Sequence, residues 1–275
     1  MADSAPSSLW RPDGERWVAT ALSRGPWDPR HCNGGPVAAM LAYAAETVVD
    51  EYSASVDWHV SRLTAELIHP VPVGRPLTVR SSMERAGHSV SLVSVAITDD
   101  DHELALARAL RIRHHDTPLP DGTVQLDDDL PPPTDGVSTP PEWPTGGDIA
   151  FHSDAITFQL VAGRFDQVGP ATAWIHLDVD VVPDAAPTAL QRVAAACDTG
   201  NGLSNGLPNH EWRYLNADLS IHLARPLVGE WVGLAASSAY GAESVVSGAG
   251  FAECAIYDID GRFGRSVQSL YIDHR

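Results

Sequence analysis

The residues best able to do chemistry in this chain fall in a few short clusters. His31-Cys32 stands beside the turn Asn33-Gly34-Gly35-Pro36. A thiol next to an imidazole suggests a nucleophilic thiolate. Sequence neighbours rarely form a working dyad, so simple packing of Cys32 is the stronger reading. Asp178-Val179-Asp180 would set two carboxylates on one strand face, where a divalent ion or plain water could meet them. His114-His115 has no second ligand pair at metal spacing. Gly248-Ala249-Gly250 lacks the strand-turn-helix setting of a dinucleotide loop. There is no Gly-x-Ser-x-Gly elbow to present a serine nucleophile. Neither a metal nor a cofactor is expected.

Composition removes further classes. All 18 basic residues are arginine, so lysine Schiff-base and P-loop chemistry are excluded. Against 36 acids they leave a net charge of −18, which repels nucleic acid and anionic membranes. Three cysteines, Cys32, Cys197 and Cys254, form no disulfide framework and no Cys-x-x-Cys pair. The first residues carry no basic-then-apolar signal, and no apolar run approaches the ~20 residues of a membrane helix. A reducing cytoplasm is the expected compartment, without membrane insertion.

The elements that must position any site come in two sets. Residues 116–150 hold eight prolines, eight acids and no arginine, which reads as an extended, self-repelling linker. It separates a first lobe, 1–115, from a second, 151–275. In the first, a strand over Glu15–Leu22 precedes a helix entered at Pro36, with Val37, Met40, Leu41, Ala44 and Val48 at helical spacing. Strands follow near 57–68, 76–86, 88–98 and 103–113. In the second, a strand around Trp174–Leu177 precedes a helix opened by Pro183–Pro187, running to about Asp198 and ended by Gly200-Asn201-Gly202. Strands recur near 212–223, 229–239, 243–257 and 262–272.

The two sets share residues as well as order. Leu63-Thr64-Ala65-Glu66-Leu67 is similar to Leu215-Asn216-Ala217-Asp218-Leu219, and Val95-Ala96-Ile97-Thr98-Asp99 to Cys254-Ala255-Ile256-Tyr257-Asp258. This reads as an internal duplication of one helix followed by an antiparallel meander. The small run Ala194-Ala195-Ala196 would let a curved sheet wrap the second helix closely.

Five segments carry a family resemblance. They are Asn33-Gly34-Gly35-Pro36-Val37-Ala38-Ala39, Cys197-Asp198-Thr199-Gly200-Asn201-Gly202, Leu215–His222, Arg225–Trp231 and Gly264–Leu270. In this order the chain resembles the double-hotdog acyl-CoA thioesterases of the type II family. The resemblance implies an α+β fold of two tandem hotdogs, each a long helix wrapped by a curved antiparallel sheet. It implies an acyl-CoA substrate, no cofactor and a homodimer. It further implies a water-activating trio at Asp198, Asn216 and Gln268, with Asn216 standing where the best-known branch has threonine.

On this reading Asp198 is the general base or, through an anhydride, the nucleophile. Gly34 and Gly35 would offer backbone donors to the substrate, or Asn33 would simply cap the helix. Thr64, matched to Asn216, would also face the substrate. The first lobe lacks the trio, with Ala109 or Arg111 at the place of Gln268. Arg80, Arg85, Arg111 and Arg113 could meet the phosphates of CoA. A non-catalytic acyl-CoA or lipid binder, or a hotdog enzyme of hydratase type, are the competing readings.

Overall fold

A computed structural model describes residues 6–49, 51, 56–100, 102–124, 128–139, 141, 148–208, 211–241 and 248–274. The first half contains β1 (Trp10–Asp13), β2 (Arg16–Ala19), α1 (Gly34–Glu46), β3 (Trp58–Leu67), β4 (Pro76–Arg85), β5 (Val90–Asp99) and β6 (His102–Arg113). The short β7 (Val137–Ser138) and α2 (Phe151–Asp154) lead into the second half. That half contains β8 (Ile156–Ala162), β9 (Ala171–Leu177), α3 (Ala189–Cys197), α4 (Gly200–Leu203), β10 (Trp212–Asn216), β11 (Asp218–Leu223), β12 (Trp231–Ala239), β13 (Ala249–Asp258) and β14 (Gly261–His274).

The strands form one sheet in the order β1-β2-β4-β5-β6-β3-β11-β14-β13-β12-β9-β8-β7, with β10 beside β14. Each half repeats the same internal order, and the antiparallel pair β3–β11 is the seam between them. Thr64 pairs directly with Ser220 across that seam, flanked by Leu63 with Ile221 and Ala65 with Leu219. The β5–β6 hairpin closes at Asp99 and His102, as the β13–β14 hairpin closes at Asp258 and Gly261.

Register corrects one sequence match. In β3 the ladder to β6 slips at Ser61, between Val60 and Arg62. The ladder to β14 slips once at the corresponding place, between Asn216 and Ser220. Aligning the two irregularities sets Val60 against Asn216, Ala109 against Gln268, and Thr64 against Ser220. Thr64 is therefore not the counterpart of Asn216; it sits on the approximate twofold axis. The error has a physical reason: the match slides the strand by four residues across the slip, and a one-residue slip inverts the inside–outside alternation, which sequence pattern does not register.

The helices lie side by side and run in opposite directions. Gly35 of α1 abuts Ala195 of α3, while Glu46 at the far end of α1 meets Thr188 and Gln191 at the start of α3. Ten of the thirteen residues of α1 are buried, which suits a helix packed on all sides. Ala194, Ala195 and Ala196 are buried too, and they serve the approach of α1 as well as that of the sheet. One continuous apolar cluster includes both helices and strands from both halves.

One expected boundary moves. Pro183–Pro187 is not helical; α3 begins after Thr188, whose hydroxyl accepts from Gln191 N while the Gln191 side chain returns to Thr188 N. That Thr-x-x-Gln capping box is the local start signal, and it outranks the prolines. Part of the stretch expected to repel itself is held against the second half instead. Trp174 Nε1 donates to Pro131 O at 2.7 Å, Tyr257 and Arg262 donate to Asp128, and β7 pairs with β8. The strand β8 forms where no strand is expected, and its Ile156, Phe158 and Leu160 alternate with Thr157 and Gln159. Residues 243–247 of the strand expected at 243–257 lie outside the described residues.

A Cβ at Gly35 would lie 2.7 Å from the Ala195 carbonyl oxygen and 2.8 Å from the Phe151 ring. Gly35→Ala should force α1 and α3 apart and destabilise the protein by about 1–3 kcal/mol. A denaturant midpoint unchanged from wild type would contradict this close crossing.

Candidate active site

The site begins with an interruption in a helix. The regular ladder of α3 ends at Cys197, and Asp198 and Thr199 form a tighter turn before α4 resumes the coil. Thr199 N donates to Ala196 O rather than one residue further back. Asp198 O accepts from two side-chain amides, Asn216 Nδ2 and Gln268 Nε2, each at 3.1 Å. These bonds satisfy a carbonyl freed by the break.

The carboxylate of Asp198 turns toward α1. Asn216 Nδ2 also donates to Asp198 Oδ1, at 2.7 Å. The Gly35 N–H lies against the same carboxylate and supports its charge. A Cβ at Gly34 would fall 2.3 Å from Asp198 Oδ1, so only glycine leaves the carboxylate its place. Asn33 caps α1 by accepting from Gly35 N at 3.0 Å. Gln268 points inward from β14, and its Oε1 accepts from Asn201 N at 3.2 Å. Asn201 contributes only its backbone, so no residue type signalled it in advance.

Asn216 reaches this cluster because the strand slips at Ala217. Tyr214 and Asn216 face the helices before the slip, and Leu219 and Ile221 face them after it. The slip re-aims one side chain without ending the sheet. The structure thus brings Asp198, Asn216, Gln268, Gly34 and Gly35 together. It leaves Thr64 out, between the buried Leu63 and Ala65 and so on the opposite sheet face.

Burial sets the electrostatics. Asp198 is 5% exposed, and desolvation raises its pKa to about 6 against the opposing pull of the Asn216 and Gly35 hydrogen bonds. The acid terminates one helix, where the macrodipole disfavours it, but it meets the start of another, where the macrodipole favours it. Asn216 Oδ1 is buried without a hydrogen-bond partner among the described residues. Asn33, Gly34, Asn201 and Asn216 are half-buried, and Asp198 and Gln268 are set more deeply.

The other candidates sit elsewhere. Burial pushes the Cys32 thiol far up, which opposes a thiolate nucleophile. His31 lies 3.4 Å from Asp28. Asp178 follows the end of β9 and binds Thr157 and His176, so it shares no strand face with Asp180. His114 faces Asp57 and His115 faces Thr117. Arg111 is buried against Ser91 and Trp58, and Arg113 contacts His88; Arg80 and Arg85 lie on β4. Among the described residues no group of three metal-ligating side chains occurs, and no helix is long and apolar enough to cross a membrane. Two cavities of about 470 and 460 Å³ lie away from Asp198, one at the Glu46 end of α1 and one beside Arg262 and Arg265.

Comparison with known proteins agrees with this architecture. Residues 23–112 match the acyl-CoA thioesterase N-terminal domain, and residues 127–272 match the acyl-CoA thioesterase C-terminal domain. A protein of unknown function with hot dog fold from Alicyclobacillus acidocaldarius superposes with a TM-score of 0.71 at 16% identity, covering 97% of this chain and 96% of that one. The tesB protein of Mycobacterium avium subs paratuberculosis gives 0.64 at 16% identity, covering 96% and 95%. The acyl-CoA thioesterase II TesB2 of Mycobacterium marinum gives 0.63 at 15%, covering 96% and 94%. No curated protein matches in sequence. The fold is an α+β double hotdog.

A raised carboxyl pKa means that, between the unfolded value near 3.8 and about 6, the folded protein binds more protons at Asp198 than the unfolded chain. Its contribution to stability therefore falls as pH rises through that window. Asp198→Asn has no such titration. The Tm of wild type relative to Asp198→Asn should rise as pH is lowered from about 7 to about 5. A difference independent of pH would show that Asp198 is not a strained buried acid.

Proposed function

Because the chain belongs to the acyl-CoA thioesterase family, we propose that it hydrolyses acyl-CoA thioesters to the free carboxylic acid and CoA with water activated at Asp198. The observation that carries this reading is the pairing of a buried, raised carboxylate with the unpartnered Asn216 Oδ1 beside it. In its ionised form Asp198 accepts a proton from water as the water oxygen bonds to the thioester carbonyl carbon. Asn216 Oδ1 accepts the second hydrogen of that water and fixes its direction. The tetrahedral intermediate then collapses, the C–S bond breaks, and the departing thiolate takes the proton back from Asp198.

The developing oxyanion needs a donor that is already in place. Pro36 has no N–H, and the N–H of Gly35 is engaged by Asn33 and Asp198. Gly34, half-buried, is the first-turn donor of α1 that remains. Gln268 binds the backbone at both ends of its amide, so it acts as a positioning residue that holds the helix break. A homodimer in the cytoplasm is the setting this reading takes.

The test is an acyl-CoA hydrolysis panel from short to long chains. Asp198→Ala should lower kcat by about 10²–10⁴-fold, as removal of a general base does. Gly34→Ala should lower it as well, because its Cβ displaces the carboxylate. For wild type, kcat/KM should fall on the acid side of about pH 6, where Asp198 takes up a proton. Binding of acyl-CoA without turnover at any chain length would instead make the protein a binding module.

A further inference from the structure

The approximate twofold symmetry demands a second place like the Asp198 site, at the opposite end of the helix pair. It lies about 18 Å away, the length of α1 at 1.5 Å per residue. A cavity of about 470 Å³ occupies that place. It is bordered by Thr188 and Ala189, at the start of α3, and by Val60 of β3. These are the counterparts of Asn33, Gly34 and Asn216, by the caps and by the strand register.

The polar set has been replaced at each position. Val60 stands for Asn216, and Ala109 for Gln268. Counted from the two N-caps, Tyr43 stands for Asp198. The nearest acid is Glu46, one turn further on, and its oxygens accept from Thr188 Oγ1 at 2.8 and 2.9 Å and from Gln191 Nε2 at 2.9 Å. An acid so engaged is a structural brace. Val60, Leu190, Leu223 and Leu227, all at least nine-tenths buried, give the cavity apolar walls, while Trp58, His59 and the buried Arg111 add polar and aromatic groups to its lining. Its volume lies within the ~300–1,000 Å³ of small-molecule sites.

We propose that this cavity is a second acyl-chain site that binds without hydrolysing. It rests on the reading that the first site handles acyl groups. The acyl chain can come from a free carboxylic acid or from a thioester, and the chain is what the apolar walls recognise.

Trp58 supplies the probe. In the Asp198→Asn protein, which should bind without turnover, tryptophan fluorescence is titrated with brominated decanoic acid and, separately, with brominated decanoyl-CoA. Bromine quenches indole on contact, and the difference from an Asp198→Asn, Trp58→Phe protein isolates the Trp58 signal. The expected result is Trp58-dependent quenching by at least one probe, which also identifies the source of the chain. Leu227→Phe, which fills the cavity, should weaken that quenching by about tenfold or more. Val60→Phe is the second variant should Leu227→Phe fail to fold. Absence of Trp58-dependent quenching with both probes, or quenching that neither filling variant weakens, overturns the inference. Wild-type hydrolysis is measured separately: no turnover with quenching intact defeats the first-site reading, and turnover without quenching defeats this one.

Discussion

The structure depends on one buried carboxylate placed where two helix ends meet. Raising an acid from 3.8 to about 6 corresponds to about 3 kcal/mol against its charged form. The surroundings reduce that penalty without removing it. The start of α1 faces the carboxylate, Asn216 donates to it, and the break in α3 turns it away from the coil of its own helix. Each concession is local and visible. Gly34-Gly35-Pro36 is a poor helix opening by propensity, at about 1 kcal/mol for each glycine relative to alanine. It persists because a Cβ at either glycine would strike Asp198 or Ala195. Conflict between a local rule and the global fold tends to concentrate at functional sites.

Duplication explains how the fold tolerates this arrangement. Both halves contribute the same layers, yet only one end of the helix pair has strand amides, Asn216 and Gln268, turned onto an acid whose pKa is raised to about 6. At the other end Val60 and Ala109 fill the corresponding places with apolar groups, and Glu46 is fully engaged by Thr188 and Gln191. A second unsatisfied polar set would add another desolvation penalty of similar size. The apolar half is therefore free to contribute packing while, in the proposed reaction, the polar half carries the chemistry. The site needs both, since Gly34 and Gly35 come from the first half and Asp198, Asn216 and Gln268 from the second.

Much of this was legible in the sequence. The meander strands, the α1 cap at Asn33 and the Asp258–Gly261 hairpin follow from period-two alternation, side-chain capping and turn chemistry. The resemblance pointed to Asp198, Asn216 and Gln268, which the fold brings into contact. Three things were not legible. The slip at Ala217 leaves no compositional mark, because a bulge is a property of pairing. The match of Thr64 with Asn216 failed for the same reason. The contact between Gly34 and Asp198 joins residues far apart in sequence, and a Gly-Gly turn reads equally well as an ordinary helix entry. By contrast, the true start of α3 was written in Thr188 and Gln191 and was outweighed by nearby prolines.

The choice of asparagine at 216 follows from the same geometry. The freed carbonyl of Asp198 and its carboxylate both need a donor from the strand side, and Asn216 Nδ2 serves both, at 3.1 and 2.7 Å. A hydroxyl carries one hydrogen and could serve only one of them. The amide then has its oxygen left over, fixed in direction by the two bonds its nitrogen makes. In the proposed reaction that oxygen orients the water which Asp198 deprotonates. Asn216 can therefore restrain the acid and aim the water at once, where threonine would have to leave one of the two Asp198 oxygens to another group.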